Sequence, residues 1–257
     1  MSDRIGKSGN VATTITDDVA VITLKRPHKL NALTIPMLLD IASELRAFGG
    51  GRAKGIVVTG EGRAFSAGDD LNMTEDLDEA GFRELIVSFQ DLTRAILESE
   101  VPIVAALNGL VVGGAAEWTL CFDARVGCPE SYYLFPENRV GLTISNASTY
   151  LLPRLLGGRT LPLVLSGEPI PAEEAHRLGL IDYLVPSADV VTRAVELILL
   201  WKRPGTMTRL HLKLLRPPLE EVERAIENEN RIAEEVWRSG SPGAVSDALT
   251  GRHGDRS

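Results

Sequence analysis

The feature that most restricts this chain is a recurring unit: a short apolar run, a glycine-bearing loop, then an amphipathic stretch. Residues 55–59 (GIVVT) and 102–107 (PIVAAL) lack the polar alternation of a half-solvated strand. They read as strands buried on both faces. Each is followed by a loop, residues 60–76 and 108–114, and then by helical periodicity. Residues 78–99 carry Phe82, Leu85, Phe89, Leu92 and Ile96 in register, and 115–122 has helical composition. Strand, loop and helix in that order argue an α/β fold with a parallel sheet and crossover helices. Ahead of these units, 11–16 and 19–25 are β-rich, and Asp17-Asp18 between them fits a two-residue hairpin turn. A helix over 34–48 places Leu38, Ile41, Leu45 and Phe48 on one face, with Thr34 at its cap and Gly49-Gly50-Gly51 at its end. After Val185-Pro186 the alternation stops. Residues 188–202 and 219–239 read as helices, so we expect a core over 1–186 and a helical region over 187–257.

Composition removes several function classes. The chain has 27 basic and 35 acidic side chains, a formal net charge of −8. That balance disfavours sequence-independent nucleic-acid binding and polybasic membrane anchoring. Two cysteines, Cys121 and Cys128, make neither a disulfide framework nor a zinc set. The first ten residues show no targeting pattern and no apolar run is long enough to span a bilayer, so a cytoplasmic setting is expected. Gly6-Lys7-Ser8 lacks the upstream glycine of a phosphate loop, and no G-x-S-x-G elbow is present. His28, His176, His211 and His253 are scattered, and no metal site is expected.

Three stretches carry chemistry. Residues 64–71 (AFSAGDDL) and 108–117 (NGLVVGGAAE) each follow a buried strand, where open α/β sheets place ligands. Small residues there leave backbone N–H groups uncovered, and paired glycines at a helix start add the positive end of its dipole. The third stretch, Phe135-Pro136-Glu137, lies in a loop ahead of another helix. Singly, each is more often a tight turn or a solvated acid. Together they could bring two N–H-presenting turns to one anionic oxygen, with Glu117 and Glu137 nearby.

These residues resemble the crotonase, or enoyl-CoA hydratase-isomerase, superfamily. The resemblance runs through Arg26-Pro27-His28-Lys29-Leu30-Asn31-Ala32-Leu33, the loop of 65–71, the segment 108–117, the P-E-x-x-x-G stretch of 136–141 and the A-x-x-L-G-L-I-D-x-L-V-P stretch of 175–186. It implies a crotonase-like spiral of ββα repeats with a C-terminal helical trimerisation region, a homotrimer or a hexamer, and an acyl-CoA substrate without a further cofactor. It implies an oxyanion hole from the backbone N–H groups of Asp69 and Gly114, and catalytic carboxylates at Glu117 and Glu137. Contacts to CoA or the acyl group are implied for Lys25, Arg26, Lys29, Ala32, Ala67, Gly68, Asp70, Leu71, Gly113, Trp118 and Asn146.

Retention of both glutamates favours hydration of an α,β-unsaturated thioester. Water adds at the β-carbon, charge builds on the thioester oxygen, and two fixed N–H donors hold it; one such donor is worth ~2.7–4 kcal/mol elsewhere. Departures from the family pattern sharpen further expectations. The Asp69 side chain is expected to point away from the site, onto a cation. Ser145, Asn146 and Ser148 replace a glycine-rich run and favour a polar acyl group. Trp118 either narrows the pocket or fills core. Residues 249–253 replace the usual tail motif. The alternative is another acyl-CoA reaction, namely isomerisation, decarboxylation or thioester hydrolysis; a non-catalytic assembly or RNA-binding role is disfavoured by the charge and the intact carboxylates.

Overall fold

The computed structural model describes residues 4–70, 73 and 77–238. Two sheets lie in layers. The larger has the strand order β1 (Arg4–Ile5), β2 (Val11–Thr16), β3 (Val19–Leu24), β4 (Gly55–Gly60), β6 (Ile103–Leu107), β8 (Ala124–Gly127) and β11 (Tyr183–Leu184). From β3 onward its neighbours are parallel. The β2–β3 turn holds Asp17 and Asp18 at φ 51° and 66°, the left-handed pair that a tight two-residue hairpin needs. The smaller sheet runs β10 (Ile170–Pro171), β9 (Tyr132–Leu134), β7 (Leu110–Val112) and β5 (Ala64–Ser66), with β5, β7 and β9 parallel.

Sequence order alternates between the sheets. Strand β4 is followed by β5 and then helix α2 (Glu79–Leu97); β6 by β7 and then α3 (Gly114–Thr119); β8 by β9, a 3-10 turn (Glu137–Arg139) and then α4 (Ser148–Leu156). This is a spiral of ββα repeats. In the first two repeats the second strand lies inside what the sequence reads as loop. With three residues each, β5, β7 and β9 are too short to show a period. Because these three strands are parallel neighbours, their carboxyl ends emerge side by side. The site is built there.

Helix α1 (Ile35–Gly49) buries Met37, Leu38, Ile41, Leu45 and Phe48 against the main core. Asp78 caps α2 by accepting from the Gly81 N–H at 2.8 Å. Beyond 166 lie α6 (Ala172–Leu178), α7 (Val190–Trp201), α8 (Thr208–Leu215) and α9 (Leu219–Arg238), and ahead of them α5 (Thr160–Ser166). The change near residue 186 is one of element type, since α7 packs Val190, Ala194, Val195, Leu197 and Ile198 onto Val19, Val21, Val57, Val104 and Val126 of the large sheet. Helix α9 adds Val222 and Ile226 to the main core. Among the described residues no helix is long and apolar enough to cross a membrane. Leu71 and residues 249–253 lie outside the described residues.

Candidate active site

The motif at 26–33 clamps the loop after β5. Asn31 is fully buried; its Nδ2 donates to the carbonyls of Glu61 (3.0 Å) and Ala64 (2.9 Å), and its Oδ1 accepts from the Arg26 N–H (2.9 Å). The Ser66 hydroxyl donates to the Asn31 carbonyl at 2.8 Å. The Ala67 N–H reaches Leu30 O at 2.9 Å, the Leu33 N–H reaches Gly68 O at 2.7 Å, and the Asp70 N–H reaches Leu33 O at 3.0 Å. Leu33 and Asp69 thus form a parallel bridge. Within such a bridge the bonds are made by the residues on either side of Asp69, so its own N–H faces the opposite way.

That opposite side is the start of α3. A Cβ on Gly68 would come within 2.5 Å of the Val112 carbonyl, and one on Gly114 within 2.7 Å of Asp69 Oδ1. Gly113 sits at φ 56°, ψ −132° as the N-cap residue, a region that side chains rarely enter. Its N–H is held by Leu134 O at 3.0 Å. Gly114 is the first helical residue, so its N–H has no partner inside the helix. The amides of Asp69 and Gly114 therefore stand in adjoining segments beside a positive helix end.

Glu117, one turn into α3, and Glu137, at the end of the β9 segment, line the same cavity of about 180 Å³. They are 1% and 6% exposed. Glu117 is held from across the cavity. Its Oε1 accepts the Ser145 N–H (2.8 Å), and its Oε2 accepts the Ser145 hydroxyl (2.6 Å) and Asn146 Nδ2 (2.9 Å). A carboxylate offers about four acceptor sites, so roughly one, on Oε1, is left. Glu137 Oε1 lies 3.5 Å from the Cβ position of Gly113, and its Oε2 is buried without a hydrogen bond among the described residues. Burial, and then the Glu137 charge, raise the Glu117 carboxyl well above the usual range against the pull of its Ser145 donors. Burial, opposed by its own backbone and assisted by Asp69, pushes Glu137 up to about 7. Two neighbouring acids in one dry site cannot both ionise freely.

The Asp69 side chain overturns its expectation. It is turned into the site, with Oδ1 enclosed and without a partner among the described residues, and burial pushes its carboxyl up to about 6. The cation is taken by the next residue: Arg26 Nη1 bonds Asp70 Oδ2 at 2.5 Å and Ala32 O at 3.2 Å. Arg26, Ala32 and Asp70 therefore brace the clamp and do not line the cavity. Lys25 and Lys29 are exposed and do not line the cavity. Ala67 and Gly113 line the cavity, while Gly68 packs behind on Val112. Trp118 is also corrected: it is fully buried, its ring lies 6.1 Å from Phe65 and 5.1 Å from Phe122, and it fills core. Of the polar residues expected beside the acyl group, Ser145 and Asn146 do line the cavity, but their side chains donate to Glu117, and Ser148 does not line it. Its remaining wall is chiefly apolar, from Phe82, Leu85, Ile86 and Phe89 of α2 with Val112, Leu134, Val140 and Leu142.

The fold is that of the crotonase superfamily. The enoyl-CoA hydratase/isomerase family model matches residues 14–239. A probable enoyl-CoA hydratase of Rhodobacter capsulatus is 37% identical over 179 residues, 68% of this chain and 68% of that protein. A peroxisomal fatty acid beta-oxidation multifunctional protein of Arabidopsis thaliana is 31% identical over 92% of this chain, which spans only 33% of that longer protein. A solved enoyl-CoA hydratase/isomerase of Pseudoalteromonas atlantica matches in fold over 96% of this chain and 100% of its own, with TM-score 0.86 at 24% identity. The chain belongs to the enoyl-CoA hydratase/isomerase family.

Proposed function

We propose that this protein hydrates the α,β double bond of an enoyl-CoA thioester without a metal or redox cofactor. The observation that carries the reading is the placement of Glu117 and Glu137 on one small cavity beside the amides of Asp69 and Gly114. Three donors favour the carboxylate form of Glu117 over that of Glu137; with one acceptor site left, Glu117 binds a water and takes its proton as the oxygen bonds to the β-carbon. The alkene electrons move onto the thioester oxygen, where the two amides hold the enolate. Glu137, drawn by burial toward its acid form at neutral pH, orients the same water and gives its proton to the α-carbon. Exchange with solvent then returns a proton from Glu117 to Glu137. The Asp69 carboxyl, pushed up to about 6, carries a charge that helps hold the proton on Glu137, and an enolate forming beside it would draw a proton onto Asp69 in turn.

The apolar wall supports an apolar acyl group. The exposed cations Lys25 and Lys29 support a phosphate contact. Exposed Leu210, Leu214 and Leu215 on α8 support assembly as a trimer or a dimer of trimers. Another acyl-CoA reaction, double-bond isomerisation foremost, draws on one observation: Asp69 supplies a third acid that could carry protons between carbons. A β,γ-enoyl thioester consumed without net water addition would favour it.

The test is loss of the conjugated absorbance of crotonyl-CoA. Glu117→Gln and Glu137→Gln are each expected to lower kcat by about 10²- to 10⁴-fold, the range for a general acid or base. Unchanged rates in both would remove the hydratase reading.

A further inference from the structure

Glu229 lies on α9, outside the cavity, and is 4% exposed. Helix α9 is otherwise strongly charged, and its buried residues are Val222, Ile226 and Glu229, a single inward stripe. An acid in such a stripe needs partners. Glu229 has three, all at the start of α4: its Oε2 accepts the Ala147 N–H at 2.8 Å, and its Oε1 accepts the Thr149 N–H at 2.8 Å and the Thr149 hydroxyl at 2.5 Å. The two residues ahead of α4 are left-handed, Asn146 at φ 56° and Ala147 at φ 63°. Asn tolerates that region, but the Cβ of Ala147 does not, so the turn is strained at Ala147 and persists only if its surroundings hold it. The same turn carries Ser145 and Asn146, which supply all three donors to Glu117.

Resting on the hydratase reading, we propose that Glu229 is a positioning residue for Glu117: through Ala147 and Thr149 it fixes the 145–149 turn whose donors aim the Glu117 carboxylate. It does so from 112 positions further along the chain, so docking of α9 becomes a condition for a competent site. The coupling is also electrostatic. Glu117 faces Glu137 from the β9 segment and Glu229 from α9, and the charge of each opposes its ionisation. Glu137 in turn faces Asp69. Besides Glu117, Glu229 acts on Cys121, a buried thiol pushed up to about 12 and so neutral.

Glu229→Gln separates this role from bulk stability. It keeps the size, replaces one acceptor oxygen by a donor facing a backbone N–H, and removes the charge. In folded variant, kcat on crotonyl-CoA should fall by about 10- to 100-fold, the scale of a misplaced catalytic group, with KM little changed. The acid limb of the pH–rate profile should move, because Glu117 loses both a repelling charge and the fixed placement of its donors. A role confined to stability would lower the melting temperature and leave that limb in place; this result overturns the proposal. Should Glu229→Gln not fold, Thr149→Val removes one donor to the same carboxylate and is expected to lower kcat in the same direction; an unchanged kcat in that variant overturns the proposal. Infrared titration of the buried carboxyl groups, with the Glu117 band assigned by Glu117→Gln, needs no substrate. There Glu229→Gln, or Thr149→Val in its place, should move the Glu117 midpoint, and an unmoved midpoint overturns the coupling. If the parent protein fails to hydrate enoyl thioesters, the hydratase reading falls while this titration still decides the role of Glu229.

Discussion

At the scale of single residues the site is governed by three acids in a space with little solvent. Asp69, Glu117 and Glu137 are all shifted upward, chiefly by burial. Their mutual repulsion keeps a proton available among them near neutral pH. Glu137 is pushed up to about 7, and the Asp69 charge contributes. Asp69→Asn removes that charge, so Glu137 should lose its proton more readily. On the proposed mechanism Glu137 is the proton donor, so the alkaline limb of the pH–rate profile should move to lower pH. A limb that stays in place, or moves up, would mean that Asp69 does not act on Glu137.

At the scale of elements, precision comes from three short parallel strands whose carboxyl ends adjoin. Gly113 shows how narrow the tolerance is. It joins β7 to α3 at φ 56°, ψ −132°, and an alanine there should cost about 1–3 kcal/mol. Chemical denaturation of Gly113→Ala should show that loss together with reduced turnover; an unshifted midpoint would contradict it. The long elements were legible in the sequence. The apolar faces of α1 and α2 and the buried runs of β4 and β6 are read from periodicity within a residue or two. The second strands were not, since 64–66 and 110–112 are too short to carry a pattern and gain their form from pairing with each other. Glu117 and Glu137 were found through glycine-flanked motifs. Glu229 was missed, although its place in the Val222–Ile226 stripe was a signal: a long charged helix draws attention away from one acid on its apolar face. The Asp69 orientation was misjudged because sequence cannot tell which of two adjacent aspartates meets Arg26.

At the scale of the whole molecule, these buried acids set a stability cost that depends on pH. Glu137 moves from an ordinary 4.5 to about 7. The unfolded chain ionises it first, so native stability is fullest below the ordinary value and declines as pH rises through about 7. The full shift corresponds to about 3 kcal/mol by the usual conversion. Glu137→Gln should therefore melt higher than the parent at pH 8, with the difference shrinking toward pH 4. A variant less stable at both pH values would contradict the assignment. An inactive but more stable variant is expected where a site is held at the expense of folding.

The most direct measurement is a rate cycle on crotonyl-CoA with Glu117→Gln, Glu137→Gln and the double variant. Two carboxyl groups acting on one water form a unit, so either single change should cost nearly as much as both together. Losses that simply multiply, or a single variant that retains the parent rate, would contradict a shared water and with it the central claim.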